Sequence, residues 1–322
     1  MTSARKLLQL CFTMAFTFAI LATATSADKR VIPIAVKYDS ERMSLEYPHA
    51  LCIDDATNLF VAMTGAGYVA RIDIQHNLSV YAGLGARNSG EDGLRTKISL
   101  RSPTAICIDH AGTVFVGDGG RIAKITSDGL VRTLAVVDPI HAKANTFITG
   151  LAVDDSGNVY AADGNWWPSR IFKIRPEGKI QVLATLGKKE KISSLCLDNA
   201  GNVYVGGDGR VLKIPRSGKA EIFVENPPLG PKGWKEPRLG PISALCFDQA
   251  GNLLLASGSL VVMKPDKSLV FHKDIACYGM CLSKDGDLYL CRNDEAGTFA
   301  KVPKGTWENP PELKPRQKAK KK

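Results

Sequence analysis

Six segments of this chain repeat a single pattern, and that repetition restricts the fold more than any other feature. They read LCIDDATNLFVAM from Leu51, ICIDHAGTVFVGD from Ile106, LAVDDSGNVYAAD from Leu151, LCLDNAGNVYVGG from Leu195, LCFDQAGNLLLAS from Leu245 and MCLSKDGDLYLCR from Met280. Each joins a short apolar run to a polar turn with Gly or Asn and then to a second apolar run, which is the signature of a β-hairpin. A third run follows in most units: RIAKI at Arg121, RIFKI at Arg170, RVLKI at Arg210 and, more loosely, VARID at Val69. A fourth follows the next turn, as in LVRTLAVV at Leu130, KIQVLATL at Lys179 and AEIFV at Ala220. Four strands per unit, with units 35 to 55 residues apart between Asp54 and Ser283, predict an all-β, six-bladed β-propeller of four-stranded blades.

Ring closure gives an independent check. The sixth unit has three strands, the third being TFAKV at Thr298, and then runs into a Pro-rich end. The stretch VIPIAVKY from Val31, ahead of the first unit, supplies a spare strand. Placed as the outer strand of blade six it closes the ring, and Pro33 is tolerable on an outer edge. Closure has a physical motive, because an open sheet edge invites aggregation.

The stretch SPTAICIDHAGTVFVGDGGRIAKITSDGLVRTLA from Ser102 resembles the repeat unit of NHL-type propellers nearly throughout. The preceding YAGLGARNSGEDG is similar to the Gly-rich inter-blade loop of such proteins. The resemblance covers roughly residues 45–303 and is strongest in blades two to four; blades one, five and six lack the Asp–Arg pairing between second and third strands. It implies a fold rather than an activity, because such propellers serve many roles.

Within each first strand the side chains alternate in size. Two residues before each repeat Asp, or its blade-six counterpart Ser283, stand Cys52, Cys107, Ala152, Cys196, Cys246 and Cys281; two further back stand Ala50, Ala105, Gly150, Ser194, Ala244 and Gly279. With period two, one strand face is small and the other bulky, so neighbouring blades can pack closely near the axis. Five of the eight cysteines are thereby read as small buried apolar residues. Equivalent positions on adjacent blades lie too far apart to bridge. Cys277 and Cys291 stand outside this register, and a disulfide between them is left open.

The two ends differ from the body. Residues 1–27 pass from Arg5 and Lys6 through LLQLCFTMAFTFAILA to small residues ending at Ala24 or Ala27, the order of a cleaved secretory signal. An uncleaved anchor is the rival reading, although the apolar stretch falls short of the ~20 residues that span a bilayer. The far end, 311–322, carries six basic residues against Glu312. The net charge of the whole chain is +10. Removing +5 for this tail and +2 for residues 1–27 leaves +3 for the propeller, residues 28–310. The basicity therefore belongs mostly to the ends. A Lys- and Pro-rich tail without an apolar face is expected to be disordered. It would either remain solvated or contact an anionic envelope or membrane surface. The folded body lacks the basic-aromatic surface of a specific nucleic-acid reader. The expected location is secreted, periplasmic or at the cell envelope.

Loop length separates the two faces. First-to-second and third-to-fourth turns are short and alike, whereas second-to-third and inter-blade loops are individual: GLGARNSGEDGLRTKISLRSP from Gly83, VDPIHAKANTF from Val137, DGNWWPSR from Asp163 and NPPLGPKGWKEPRLGP from Asn226. Long loops on a rigid scaffold are where binding usually resides, so that face is the expected working face. Candidate ligand-binding residues there are Trp166, Trp167, Arg170, Trp234, Arg101, Asp118, Asp163 and Asp208. The indoles suit a sugar, peptide or protein ligand, or else cap the face by packing on neighbouring loops. Asp118 with Arg121, Asp163 with Arg170 and Asp208 with Arg210 read first as structural ion pairs, and alternatively as a polar ring that coordinates a cation. Asp54, Asp109, Asp154, Asp198 and Asp248 lead into tight turns and are expected to accept backbone amide hydrogen bonds.

No catalytic residue or obligatory cofactor is assigned. Of the five histidines, His49 and His141 fall near the expected site face, but no HExxH or other close spacing supports zinc, and no Asp-rich loop supports calcium. A channel Ca or Zn ion is a minor alternative. No nucleophile elbow, phosphate loop or dinucleotide fingerprint is present. Two function classes follow: a non-catalytic extracytoplasmic binding or protein-interaction module, and a metal-dependent hydrolase or lyase of the gluconolactonase, strictosidine-synthase or amidating-lyase kind. Against the second, Thr149 stands where gluconolactonase-type enzymes carry Asn before Gly-Leu-Ala, and their early Glu-Gly-Pro segment is absent.

Overall fold

The computed structural model describes residues 31–38, 47–85, 92–137, 147–164, 168–187, 190–226, 238–292 and 299–307. Within them lie six sheets arranged as a propeller, each with four antiparallel blade strands, and no helices. The first strands, one per blade, are Pro48–Ile53, Pro103–Ile108, Ile148–Val153, Ile192–Leu197, Ala244–Phe247 and Gly279–Leu282. The proposed boundaries of the two ends, 1–27 and 311–322, lie outside the described residues.

The expected closure is present, with one refinement. Ile32–Ile34 pairs antiparallel with Phe299–Val302 as the outer strand of blade six, Pro33 opposite Ala300. The same stretch then crosses to blade one, where Lys37–Tyr38 pairs parallel with Asn77–Leu78. Val31, Ile34 and Val36 are buried along the way. This short segment therefore clasps the seam from both sides. Gly93–Leu94 similarly adds a fifth strand to the edge of blade two.

The core is six cores, one between each pair of neighbouring blades. Between blades one and two, Cys52 and Ala62 meet Ile106, Val114 and Val116. Between six and one, Tyr289 and Cys291 meet Leu51 and Val61. The small-against-bulky alternation read from the sequence produces this contact. At Gly150 the blades approach closely enough that a Cβ would lie 2.6 Å from the backbone nitrogen of Leu195 on the next blade. All seven cysteines of the described residues are free thiols, Cys277 and Cys291 included. Burial raises the pKa of Cys246 and Cys291 to about 12, so they remain protonated packing groups.

The repeat aspartates do what the turn pattern required. Oδ1 of Asp54, Asp109, Asp154, Asp198 and Asp248 accepts the N–H four residues on, at 2.7–2.8 Å. Where Asn occupies that position its side chain also donates to the second carboxylate oxygen, as Asn202 does to Asp198 at 2.7 Å. Blade six substitutes Ser283, whose hydroxyl accepts from Asp287 N–H. The residue ahead of this partner has positive φ, and Gly fills it at 112, 157, 201, 251 and 286. Blade one uses Thr57 there, at φ 66°.

Candidate functional site

Four first strands carry a β-bulge near their N-terminal end, between Pro48 and Ala50, Pro103 and Ala105, Ile148 and Gly150, and Ile192 and Ser194. The extra residues are His49, Thr104, Thr149 and Ser193. A bulge re-aims the side chain it carries. In blades five and six the corresponding residues, Ser243 and Tyr278, immediately precede the first strand. His49, Thr149 and Ser243 line a narrow axial channel of about 110 Å³ with Ala50, Gly150 and Ala244, at the end where the long loops begin.

Several hydroxyls at this end are spent on holding the ring. Thr64 Oγ1 donates to the Pro103 carbonyl at 2.6 Å, Thr104 Oγ1 to that of Ile148 at 2.7 Å, Thr149 Oγ1 to that of Ile192 at 3.2 Å and Ser194 Oγ to that of Ile242 at 3.0 Å. Each bond runs from one blade to the next. His49 differs from the hydroxyls in its ring position: it is a titratable group, reachable by solvent. Desolvation by the surrounding strands lowers its pKa, and a hydrogen bond with the Thr104 backbone opposes that shift only in part. It is therefore a neutral imidazole at pH 7.

The ion-pair candidates divide. Asp163 is fully buried, and Arg170 Nη2 donates to its Oδ2 at 2.8 Å, which pins the second strand of blade three to the third. Asp118 accepts Ser102 N–H at 2.7 Å and has Arg121 at 3.8 Å. Burial raises the Asp118 pKa against those favourable partners and against Arg101. Arg121 makes its shorter contact, 2.8 Å, to Asp92 of the inserted edge segment. The expected Asp208–Arg210 pair does not form: Arg210 reaches Glu190 at 3.2 Å, and Asp208 lies exposed in an isolated bridge with Pro241. The reason is direction. Arg210 opens the third strand on the side where the connection into its own blade brings Glu190, while Asp208 in the intervening turn is exposed. Trp166, Trp167, Trp234 and His141 lie outside the described residues.

A second concavity opens at the other end. It measures about 630 Å³ and is floored by Ile53, Ile108, Phe247 and Leu282, the last residues of the first strands of blades one, two, five and six. Trp307 forms part of its wall. Sequence reasoning weighted the Trp residues of the long loops and passed over this one. Its signal was a lone Trp just beyond the last strand of the ring, at the edge of the Pro-rich end. Among the described residues, no three His, Cys, Asp or Glu side chains converge as a metal site would require.

No family model matches the chain. Teneurin-1 of Caenorhabditis elegans is 28% identical over 205 residues, which take in 54% of this chain and 8% of the Teneurin-1 chain. Virginiamycin B lyase from Staphylococcus aureus superposes with TM-score 0.56 at 15% identity, covering 81% of this chain and 85% of the lyase. A catalytically inactive histidine-to-alanine form of that lyase, solved with quinupristin, gives TM-score 0.56 at 14% identity over 80% and 84% of the two chains. A gluconolactonase from Xanthomonas campestris gives 0.57 at 15% identity over 80% and 87%. At these identities the structural likeness establishes the propeller fold.

Proposed function

We propose that this chain is an enzyme of the lyase or lactonase kind, with its reaction centre at the His49 mouth of the axial channel. One observation carries the reading: the bulge position of blade one holds a solvent-reachable imidazole that its surroundings keep neutral. Such a group is a base matched to neutral pH. The structural neighbours include a lyase and a gluconolactonase, and one of them loses activity when a histidine becomes alanine. With a lactone, His49 would accept a proton from water as the water oxygen adds to the ring carbonyl. The ring C–O bond then breaks, and the imidazolium returns the proton to the departing alkoxide. In an elimination the same base would remove a proton from the carbon next to a carbonyl, a C=C bond would form as the bond from the adjacent carbon to its oxygen breaks, and the imidazolium would give up its proton to the departing oxygen or to water.

A divalent ion could polarise that carbonyl. The donors described here do not fit one: a single imidazole among hydroxyls lacks both the carboxylates calcium wants and the further protein ligands of a zinc site. Both routes need only His49, water and substrate.

The test is to incubate purified protein with glucono-1,5-lactone and with quinupristin, following acid release and ring opening. Turnover of either, falling at least about 100-fold in kcat for His49→Gln, supports the reading. Turnover of neither, or an undiminished variant, rejects it. A melting temperature lowered by EDTA would show that the protein holds a metal and would overturn the metal-free route.

A second reading is a non-catalytic NHL-type interaction module that uses Trp166, Trp167, Trp234, Arg101 and Arg170 on the long-loop face. The likeness to a segment making up only 8% of the much longer Teneurin-1 chain favours it, as expected of a module. In both readings the basic, apolar, small order of residues 1–27 supports a place outside the cytoplasm, with tail 311–322 against an anionic surface.

A further inference from the structure

We propose that the 630 Å³ concavity at the short-turn end is the docking site of this chain's own C-terminal segment, residues 308–316, with Leu313 on its apolar floor. The floor is made by Ile53, Ile108, Phe247 and Leu282, all only partly buried, so apolar surface stands open there. Removing such surface from water favours an apolar occupant. Among the described residues, blades three and four contribute nothing to the lining, so the concavity is one-sided.

The place where the chain leaves the ring points to the occupant. Trp307 is 1% exposed, packs on the core between blades five and six, and forms part of the concavity's wall. Residue 308 therefore starts at that wall. The sequence continues as ENPPELKPR, and residues 308–322 lie outside the described residues. An extended Pro-rich chain advances about 3.1 Å per residue, which puts Leu313 within about 19 Å of Trp307, enough to cross the concavity. Pro310, Pro311 and Pro315 lower the cost of ordering such a segment, because their φ is fixed beforehand.

Charge sets the direction. Lys284 and Lys304 line the concavity from blade six, the blade that carries Trp307, whereas Asp54, Asp55, Asp109 and Asp248 line it from blades one, two and five. The segment runs in the same order: Glu308 and Glu312 come first, Lys314 and Arg316 after them. Its acidic residues thus meet the lysines beside the exit, and its basic residues meet the carboxylates across the floor. Over residues 308–322 six basic residues against two acidic ones give +4, opposite in sign to a lining of two lysines against four carboxylates. Lys318, Lys320, Lys321 and Lys322 extend past the docked part and stay available to an anionic surface. The proposal stands apart from the His49 reading, whose channel mouth is at the opposite end.

The test is amide NMR of the full chain. Combining Leu313→Asp with Lys314→Glu and Arg316→Glu leaves the six blades untouched. It should shift the resonances of Ile53, Ile108, Phe247 and Leu282, while Val153 and Leu197, at the same positions of blades three and four, stay in place. A synthetic peptide of residues 308–316, added to that variant, should restore the wild-type shifts saturably. The same peptide with Lys314→Glu and Arg316→Glu should bind at least about tenfold more weakly. Floor resonances that ignore the tail substitutions would overturn the proposal, as would shifts spread evenly over all six blades. Floor resonances that ignore the tail but respond to hexyltrimethylammonium would assign the concavity to an organic cation and would equally overturn it. His49→Gln should leave the floor resonances at their wild-type positions, so the two readings fail separately.

Discussion

The short-turn end and the long-loop end of the propeller are made by the same six strand sets, yet they are held together in different ways. At the short-turn end the recurring polar contact is local, each Asp binding a residue four positions on inside its own blade, while Gln249 to the Lys284 carbonyl at 2.9 Å and His110 to Asp155 at 3.4 Å are exposed contacts between turns of neighbouring blades. At the long-loop end the polar contacts cross blades, from Thr104 to Ile148, Thr149 to Ile192 and Ser194 to Ile242. One end is therefore built mainly of self-contained hairpin turns with exposed links between some of them, and the other is a ring coupled by buried and part-buried hydrogen bonds. Coupling suits a site whose geometry must be shared among blades; independence leaves turn residues free to vary and so to shape a pocket on one side.

The largest effect we expect is at the coupled end. Gly150→Val places side-chain atoms against the Leu195 backbone, with no flexible neighbour to yield, and should cost about 3 kcal/mol, read from urea unfolding. A tolerated Val would show that the blades do not approach as closely as Gly150 implies. Next, Arg170→Met leaves the fully buried Asp163 carboxylate without its cation. The fully buried figure is about 3–5 kcal/mol; with Arg170 nearly a third open to water, about 2 kcal/mol is expected. A smaller loss, about 1 kcal/mol, is expected for Asp198→Asn, which weakens one turn. Combining it with Asp109→Asn should give additive losses, whereas Thr104→Val with Thr149→Val should not. Additivity at both ends would break the distinction. The smallest effect belongs to Arg210→Ala, under ~1 kcal/mol, because both it and Glu190 are partly solvated.

Acid sharpens the contrast further. Burial alone would raise the Asp198 pKa, but hydrogen bonds from Asn202, Tyr204 and the Ala200 backbone hold it below 3.8. A carboxylate with a depressed folded pKa stabilises above its unfolded value and loses that contribution as pH falls through the folded one. The Asp198 turn should accordingly hold through pH 4 and weaken below 3.8. Asp198→Asn should flatten this part of the pH–stability curve.

The sequence carried the ring because it rests on short-range chemistry. Period-two alternation named the strands, Asp-x-x-Gly named the turns, and the missing fourth strand of blade six pointed to the spare strand at Val31. What it did not carry depends on where neighbouring blades meet. Nothing in the string around His49 distinguishes a bulge from an ordinary strand residue; the register shift against Met63 and Ala62 does. Glu190 lies two positions before the first strand of Arg210's own blade, and only the folding of that blade brings the two together across some twenty residues. Loop length drew attention to Trp166, Trp167 and Trp234, while the pocket wall was built by Trp307, whose neighbours come from a different blade.

The direct test of the reaction-centre reading is an NMR titration of the histidine side chains, with His49→Gln assigning the signal. We expect His49 to titrate below 6.5, because desolvation outweighs its bond to the Thr104 backbone. A value at or above 6.5 would mean that the channel mouth does not hold a neutral base, and the proposed proton transfer would lose its ground.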